Sequence, residues 1–233
     1  NFSGNINIKA SKLKKVMKKT RETGIKYLLS SSKFIKEEYQ EDLRNIIALY
    51  KQKGYRDISI QKNDMYIDID GKIVINIEIN EGEKYFFGDI NWLGNSKYDS
   101  KELSNIIGIK KGDLFDESLL DARLNMSRDG DDISALYMDD GYLFFQVNPV
   151  ETSIEDGNTI NLEMQIREGK QATIKNVSVI GNTKTNDHVI MREVRSLPGN
   201  LFKRSDIIRT QEEFNRLGFF NPSANGQEER LRI

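Results

Sequence analysis

One histidine, one aspartate-rich turn and one run of lysines are the side chains here that could serve a reaction or hold a ligand. His188 is the sole histidine, in Asn186-Asp187-His188 at the start of a predicted helix. It has no serine or carboxylate partner at triad spacing, so a surface histidine is the better reading. Asp129, Asp131 and Asp132 surround Gly130, a combination that hints at calcium. The loop of roughly 12 residues with its closing glutamate is missing, and a solvated acidic turn is the simpler account. The chain has no cysteine, which removes disulfides, thiol nucleophiles and cysteine-ligated metals. No glycine loop of the phosphate-cradling kind is present. The expectation is a protein without catalytic residues, cofactor or metal.

Charge narrows the partners. The 233 residues carry 35 Lys and Arg against 36 Asp and Glu, a net charge of −1. A dedicated nucleic-acid binder would show a basic excess, so none is expected as partner. The distribution is uneven. Residues 1–50 hold 11 basic and 5 acidic side chains, whereas 113–156 hold 2 basic and 12 acidic. Lys12, Lys14, Lys15, Lys18 and Lys19 could touch nucleic acid or anionic lipid, but a solvated helix face is favoured. A steep salt dependence of polyanion binding would mark the former. The acidic middle could equally face a basic accessory protein. Hydrophobic residues make up 37% of the chain, with 11 Phe, 9 Tyr and 1 Trp, enough for packed cores. No apolar run approaches the ~20 residues of a membrane helix. The opening Asn1-Phe2-Ser3-Gly4 shows no signal-peptide pattern, so an exported parent would have lost that part already.

The elements that must position these residues repeat. Gly-Asn pairs follow short apolar stretches at Gly4, Gly94 and Gly181, spaced by 90 and 87 residues. Gly-Tyr recurs at Gly54 and Gly141, Glu-Gly at Glu81 and Glu168, and Gly-x-Leu-Phe at Gly112 and Gly199, each pair 87 apart. Separate landmarks sharing one offset imply a tandem repeat. The reading is two full modules, 1–82 and 83–169, and an incomplete third, 170–233.

Each module reads strand, helix, helix, strand, strand. Ile73, Ile75, Ile77 and Ile79 alternate with Val74, Asn76, Glu78 and Asn80; Ile160, Leu162, Met164 and Ile166 do the same in the second copy. A period of two with one polar face predicts a sheet buried on one side. Tyr39, Leu43, Ile46, Ile47 and Tyr50 form one stripe at helical spacing, the partner for that face; Ile207, Gln211, Phe214 and Leu217 repeat it. Gly54 and Gly141 fit helix C-terminal caps, and Asp116 an N-cap. The last two strands should pair as a hairpin, with the first strand parallel to the last on its other side. The middle strand then lies at the edge, which Pro149 tolerates. The expected fold is α+β: a three-stranded mixed sheet per module, with two helices on one face.

Three departures from the repeat stand out. From Gly4 to Phe34 is 30 residues, against 21 in the other copies, which predicts an enlarged connection near Arg21 to Ser32. Ser127-Arg128-Asp129-Gly130-Asp131-Asp132 should break the second module's long helix. After Gly218-Phe219-Phe220-Asn221-Pro222 only a polar tail remains.

These residues resemble the polypeptide-transport-associated (POTRA) family, whose tandem copies form the soluble periplasmic arm of BamA-type outer-membrane β-barrel assembly factors. The third module carries the most specific likeness: Gly181-Asn182-Thr183-Lys184-Thr185, then Ile190-x-x-Glu193-Val194, then Asn215-Arg216-Leu217-Gly218-Phe219-Phe220. It is similar to the last POTRA domain of such arms, which makes the three modules the third, fourth and part of the fifth. The resemblance implies a non-enzymatic role at the periplasmic face of the bacterial outer membrane. It implies receiving unfolded outer-membrane proteins, docking accessory lipoproteins, and a C-terminal membrane β-barrel in the parent chain. Related arms occur in TamA-like factors, two-partner secretion transporters and organelle import pores. A basic-patch nucleic-acid or lipid-binding module is the alternative from another class.

A mechanism attaches to that role. An unpaired edge strand offers amides and carbonyls to an extended segment, which joins as a further strand. The candidate edges are Ile58, Ser59, Ile60 and Gln61, and Phe145, Gln146 and Val147. Four or five backbone bonds at about 0.5–1.5 kcal/mol each face an association cost on the order of 4–15 kcal/mol. Such contacts should be brief and tolerant of sequence. The junctions Glu81-Gly82 and Glu168-Gly169 leave few residues between modules, which predicts an articulated rod with restricted bending.

Overall fold

A computed structural model describes residues 1–20, 34–125, 127, 130–180 and 186–217. The chain runs β1 (Phe2–Ser3), α1 (Ala10–Val16), α2 (Lys36–Lys51), β2 (Ser59–Ile67) and β3 (Ile73–Asn80). It continues through β4 (Phe86–Leu93), α3 (Ser100–Ile107), α4 (Glu117–Asn125), α5 (Ile133–Asp139), β5 (Gln146–Glu155) and β6 (Thr159–Arg167), then α6 (Asp187–Glu193) and α7 (Arg204–Leu217). Among the described residues these seven helices accompany two three-stranded sheets, ordered β1-β3-β2 and β4-β6-β5. β1 lies parallel to β3, with Phe2 opposite Ile77, and β2 lies antiparallel to β3. The fold is therefore α+β with mixed sheets, and the outer strands are those the connectivity predicts. Pro149 falls within β5, an outer strand.

The alternation in β6 and in the second half of β3 resolves into one buried face, whereas Ile73 at the start of β3 is exposed and Ile75 only partly buried. Ile77 and Ile79 are buried in the first sheet; Ile160, Leu162, Met164 and Ile166 are buried in the second. The stripe on α2 buries Tyr39, Leu43, Ile46 and Tyr50 in one cluster with Leu13 of α1, Ile77 and Ile79. Each such side chain contributes on the order of 1.5–3 kcal/mol. Ile35, the N-cap residue before α2, makes no side-chain cap bond, so packing of the helix's apolar face holds it, not its N-terminal end.

Gly4 and Gly94 close the turns after β1 and β4 with φ of 75° and 87°. A Cβ at either would collide with the main-chain oxygen of Ile79 or Ile166. The first strand thus lies against the last strand's end only because no side chain intervenes. The asparagine that follows each glycine spans its turn: the Nδ2 atoms of Asn5 and Asn95 donate to the carbonyls of Ile8 and Tyr98, both at 2.9 Å.

The long helix of the second module breaks where glycine stands among aspartates. α4 ends at Asn125 and α5 begins at Ile133, with Gly130 between them at φ 73°. Asp116 caps α4 through its Oδ1, which accepts from the amides of Ser118 at 2.9 Å and Leu119 at 3.2 Å. In the third module the described residues hold α6, α7 and one antiparallel bridge, Thr173 to Leu201. The enlarged connection expected near Arg21 to Ser32, the Gly181–Thr185 motif and the chain from 218 onward lie outside the described residues.

Packing groups the chain into two compact units: 1–90 with 109–120 and 151–162, and 91–108 with 121–150 and the chain from 163 onward. Among the described residues no helix is long and apolar enough to cross a membrane.

Candidate binding edges and module joints

The edge stretch Ile58–Gln61 divides by role. Ile58 precedes β2 and is a core residue. Ser59 and Ile60 pair with Asn80 and Ile79, and the register then shifts between Ile60 and Lys62, which leaves Gln61 in a bulge. A bulge bends the strand and tightens its twist, a device that interrupts edge pairing. Regular pairing runs from Lys62, opposite Glu78, to Ile67, opposite Ile73. The longer even edge is therefore Lys62–Ile67, where Tyr66 and Ile67 are exposed. Sequence reasoning missed it because Lys-Asn-Asp-Met-Tyr-Ile does not alternate cleanly.

The second edge behaves alike. Phe145 precedes β5 and is buried, its ring stacked on Tyr137 at 4.1 Å and 16°. Gln146 and Val147 open β5, which continues to Glu155. Ile58 and Phe145, 87 residues apart, each anchor the start of an outer strand to its core.

Glu81 is more than a strand terminus. Its buried carboxylate accepts the Asn7 amide at 3.0 Å, the Asn7 Nδ2 at 2.7 Å, the Ile8 amide at 3.4 Å and the Tyr50 hydroxyl at 2.8 Å. One carboxylate thus ties the end of β3 to α2 and to the turn after β1. Burial works to raise its pKa, but the hydrogen bonds from Asn7, Tyr50 and Ile8 outweigh it and hold the carboxyl below its ordinary value. Burial and the bond to Glu81 push the Tyr50 phenol well up, so it remains a donor. Glu168 repeats the node, accepting the Lys97 amide at 2.7 Å and the Tyr137 hydroxyl at 3.1 Å. The tyrosine of each Gly-Tyr pair packs edge-on against the node's tyrosine: Tyr55 on Tyr50 at 5.7 Å, Tyr142 on Tyr137 at 5.9 Å.

The remaining landmarks build the joints. Past Gly82, the Tyr85 amide donates to the Gly54 carbonyl at 2.8 Å, and the Phe115 amide donates to the Tyr85 carbonyl at 3.0 Å. The Phe87 amide reaches Asp113 at 2.8 Å, and the Gly112 amide reaches Phe87 at 2.7 Å. Past Gly169 the same bonds recur between Ala172 and Gly141, Phe202 and Ala172, Ile174 and Asn200, and Gly199 and Ile174, all at 2.8–2.9 Å. Gly-Tyr, Glu-Gly and Gly-x-Leu-Phe are parts of one coupling: the helix end of one module, the link, and the helix–helix loop of the next. Gly54 has φ 86°, and a Cβ there would stand 2.9 Å from the Tyr85 oxygen. A side chain would wedge the joint open.

Ion pairs flank the first joint. Lys51 meets Glu117 and Arg56 meets Glu151, each at 2.9 Å with both partners partly exposed. Such pairs contribute about 0–1 kcal/mol and weaken in salt, whereas main-chain bonds do not depend on it. The Tyr85 and Phe115 amides should therefore keep their hydrogen-exchange protection in molar salt and in Lys51→Ala. Loss of protection under either condition would assign the joint to its charges.

The second joint corrects one expectation. Asp131 is exposed and Asp129 lies outside the described residues, but Asp132 is fully buried and no solvated turn residue. It accepts the Ala135 amide at 2.8 Å as the cap of α5 and the Ser127 amide at 3.0 Å. It also pairs with Arg204, the first residue of α7, at 3.1 Å. Ser205 adds an amide bond to Asp139 at 2.8 Å. The signal available in the sequence was the aspartate directly before an apolar helical run. Among the described residues no cluster of three or more potential ligands is arranged to hold a metal. His188 is exposed in α6. Lys12, Lys14, Lys15, Lys18 and Lys19 are all exposed, the first three on α1.

Comparison with known proteins agrees with this architecture. The family model for POTRA, described as "Surface antigen variable number repeat", matches residues 1–82, 85–169 and 172–231. The chain is similar to the outer membrane protein assembly factor BamA of Neisseria meningitidis, 25% identical over 223 residues, which is 94% of this chain and 27% of that protein. It is also similar to BamA of Nitratidesulfovibrio vulgaris, 27% identical over 201 residues, 86% of this chain and 25% of that protein. The chain thus spans about a quarter of the length of these relatives. The crystal structure of Haemophilus influenzae BamA POTRA3-5 shares the fold at a TM-score of 0.71 and 22% identity, covering 98% of this chain and 90% of that one. With three matches that together cover nearly every residue, this chain belongs to the POTRA family.

Proposed function

We propose that the chain is the periplasmic arm of an outer-membrane protein assembly factor, receiving unfolded β-barrel proteins by strand addition. The observation that carries this reading is the outer position of β2 and β5, one in each sheet. An extended client segment can hydrogen-bond to either rim through its backbone, so client sequence matters little. The repeating units are the segments 1–82, 83–169 and 170–233, linked at Glu81-Gly82 and Glu168-Gly169. Accessory lipoproteins dock on the same arm, and the parent chain continues into a membrane β-barrel. The arm works without catalysis, cofactor or nucleic acid. The names of the BamA relatives and the shared fold support this reading.

A photo-activated cross-linker tests it in the intact parent protein. Placed at Asp64 in β2 or Ile154 in β5, it should capture unfolded outer-membrane proteins. Placed at Glu37, exposed on α2, it should not. Equal capture at all three sites, or none at either strand, overturns the proposal.

A further inference from the structure

The first helix of the first module carries a charge pattern that its counterparts lack. Residues 1–20 hold six lysines, Lys9, Lys12, Lys14, Lys15, Lys18 and Lys19, and no Asp or Glu. All six are exposed. The apolar side of α1 is spent on the core, with Leu13 fully buried and Ile8 and Met17 buried on either side of it in the chain. The corresponding helices mix their signs: α3 has Lys101 with Glu102, and α6 has Arg192 with Asp187 and Glu193. A face that serves solvation alone needs no single sign, and like charges on one short stretch repel one another.

Lys12, Lys15 and Lys19 make no ion pair among the described residues. Asp42 of α2 is fully buried and gives its carboxylate to the main chain, accepting the Lys19 amide at 3.1 Å and the Thr20 amide at 2.5 Å. Lys19 therefore projects from an anchored backbone. An array of negative charges would offset the repulsion, and either a bilayer surface or a nucleic acid presents one. The residues favour the bilayer. Nucleic-acid recognition draws on arginine forks and aromatic stacking. Residues 1–20 contain no arginine, and their one aromatic, Phe2, packs against the core. Ile6, in the turn before α1, is 89% exposed. An apolar side chain next to lysines gains at the headgroup boundary of a bilayer and gains nothing from a phosphate polymer.

We propose that the α1 face of the first module docks on an anionic lipid bilayer, with its lysines at the headgroups and Ile6 at their apolar boundary. This goes beyond the assembly reading and does not rest on it, since no client takes part.

The test measures co-sedimentation of the 233-residue chain with vesicles. Phosphatidylcholine vesicles with about one-third phosphatidylglycerol should bind it, pure phosphatidylcholine should not, and molar salt should release it. Lys12→Gln, Lys15→Gln and Lys19→Gln should each weaken binding about 5-fold, and the triple variant on the order of 100-fold. Lys101→Gln on α3 should leave it unchanged. An unchanged urea transition shows that the triple variant is folded; the single variants carry the test if it is not. Ile6→Ser should weaken vesicle binding about 5-fold. Duplex DNA at equal phosphate content should bind about 10-fold more weakly than the anionic vesicles. Equal binding to both kinds of vesicle, full binding by the folded triple variant, or an equal loss in Lys101→Gln overturns the proposal. DNA bound as tightly as the anionic vesicles, with Ile6→Ser without effect, overturns it in favour of a nucleic-acid site.

Discussion

Glu81→Ala should destabilise the first module by about 3 kcal/mol, read as the shift of its urea transition. The change deletes a carboxylate that satisfies two amides, one side-chain amide and one phenol. Tyr50 is fully buried, so its hydroxyl would lose its acceptor where water cannot replace it. Glu168→Ala should cost less, because Glu168 is half-buried and, among the described residues, accepts only from Lys97 and Tyr137. The pH dependence has a defined sign. The folded state holds the Glu81 carboxyl below its ordinary value of 4.5, so the unfolded chain takes up the proton first. The contribution is complete above that ordinary value and is lost as pH falls through the lowered folded one. Glu81→Gln should flatten this acid limb. An acid limb as steep in the variant as in the parent would show that other carboxylates govern it.

Asp132→Ala should loosen the third module from the second and cost about 3–5 kcal/mol, the range for breaking a buried charge pair. The residue caps α5 and holds Arg204 of α7. Its loss should therefore raise hydrogen exchange in both helices at once, while the first joint, built without it, stays protected. The conservative Asp132→Asn should keep most of the cap and lose most of the pairing, which separates the two contributions. Exchange that rises in α5 alone would show that Arg204 does not carry the joint.

Much of the fold was legible in the residues themselves. Glycine is required at Gly4, Gly54, Gly94 and Gly141 by positive φ and, at the first three, by the approach of a neighbouring main chain; such positions mark the sequence visibly. Period-two and helical stripes mark it because one face of β3, β6 and α2 must be apolar. The strand order followed from connectivity. What stayed hidden was long-range pairing. Glu81 meets Asn7 across 74 residues and Arg204 meets Asp132 across 72, and no local pattern announces either. Glu81 reads in sequence as a strand end and Asp132 as part of a solvated turn. The bulge at Gln61 was equally silent, since a two-against-one register exists only between strands. For the edges, sequence located where β2 and β5 begin but not how far their even rims extend.

An amide-resolved NMR titration of the 233-residue chain with an extended segment of an unfolded outer-membrane protein tests the strand-addition account most directly. The account predicts progressive shifts along Lys62–Ile67 and Gln146–Glu155, with the exposed faces of α2 and α5 unmoved. Shifts confined to helix faces, or none along either strand at millimolar peptide, would contradict it.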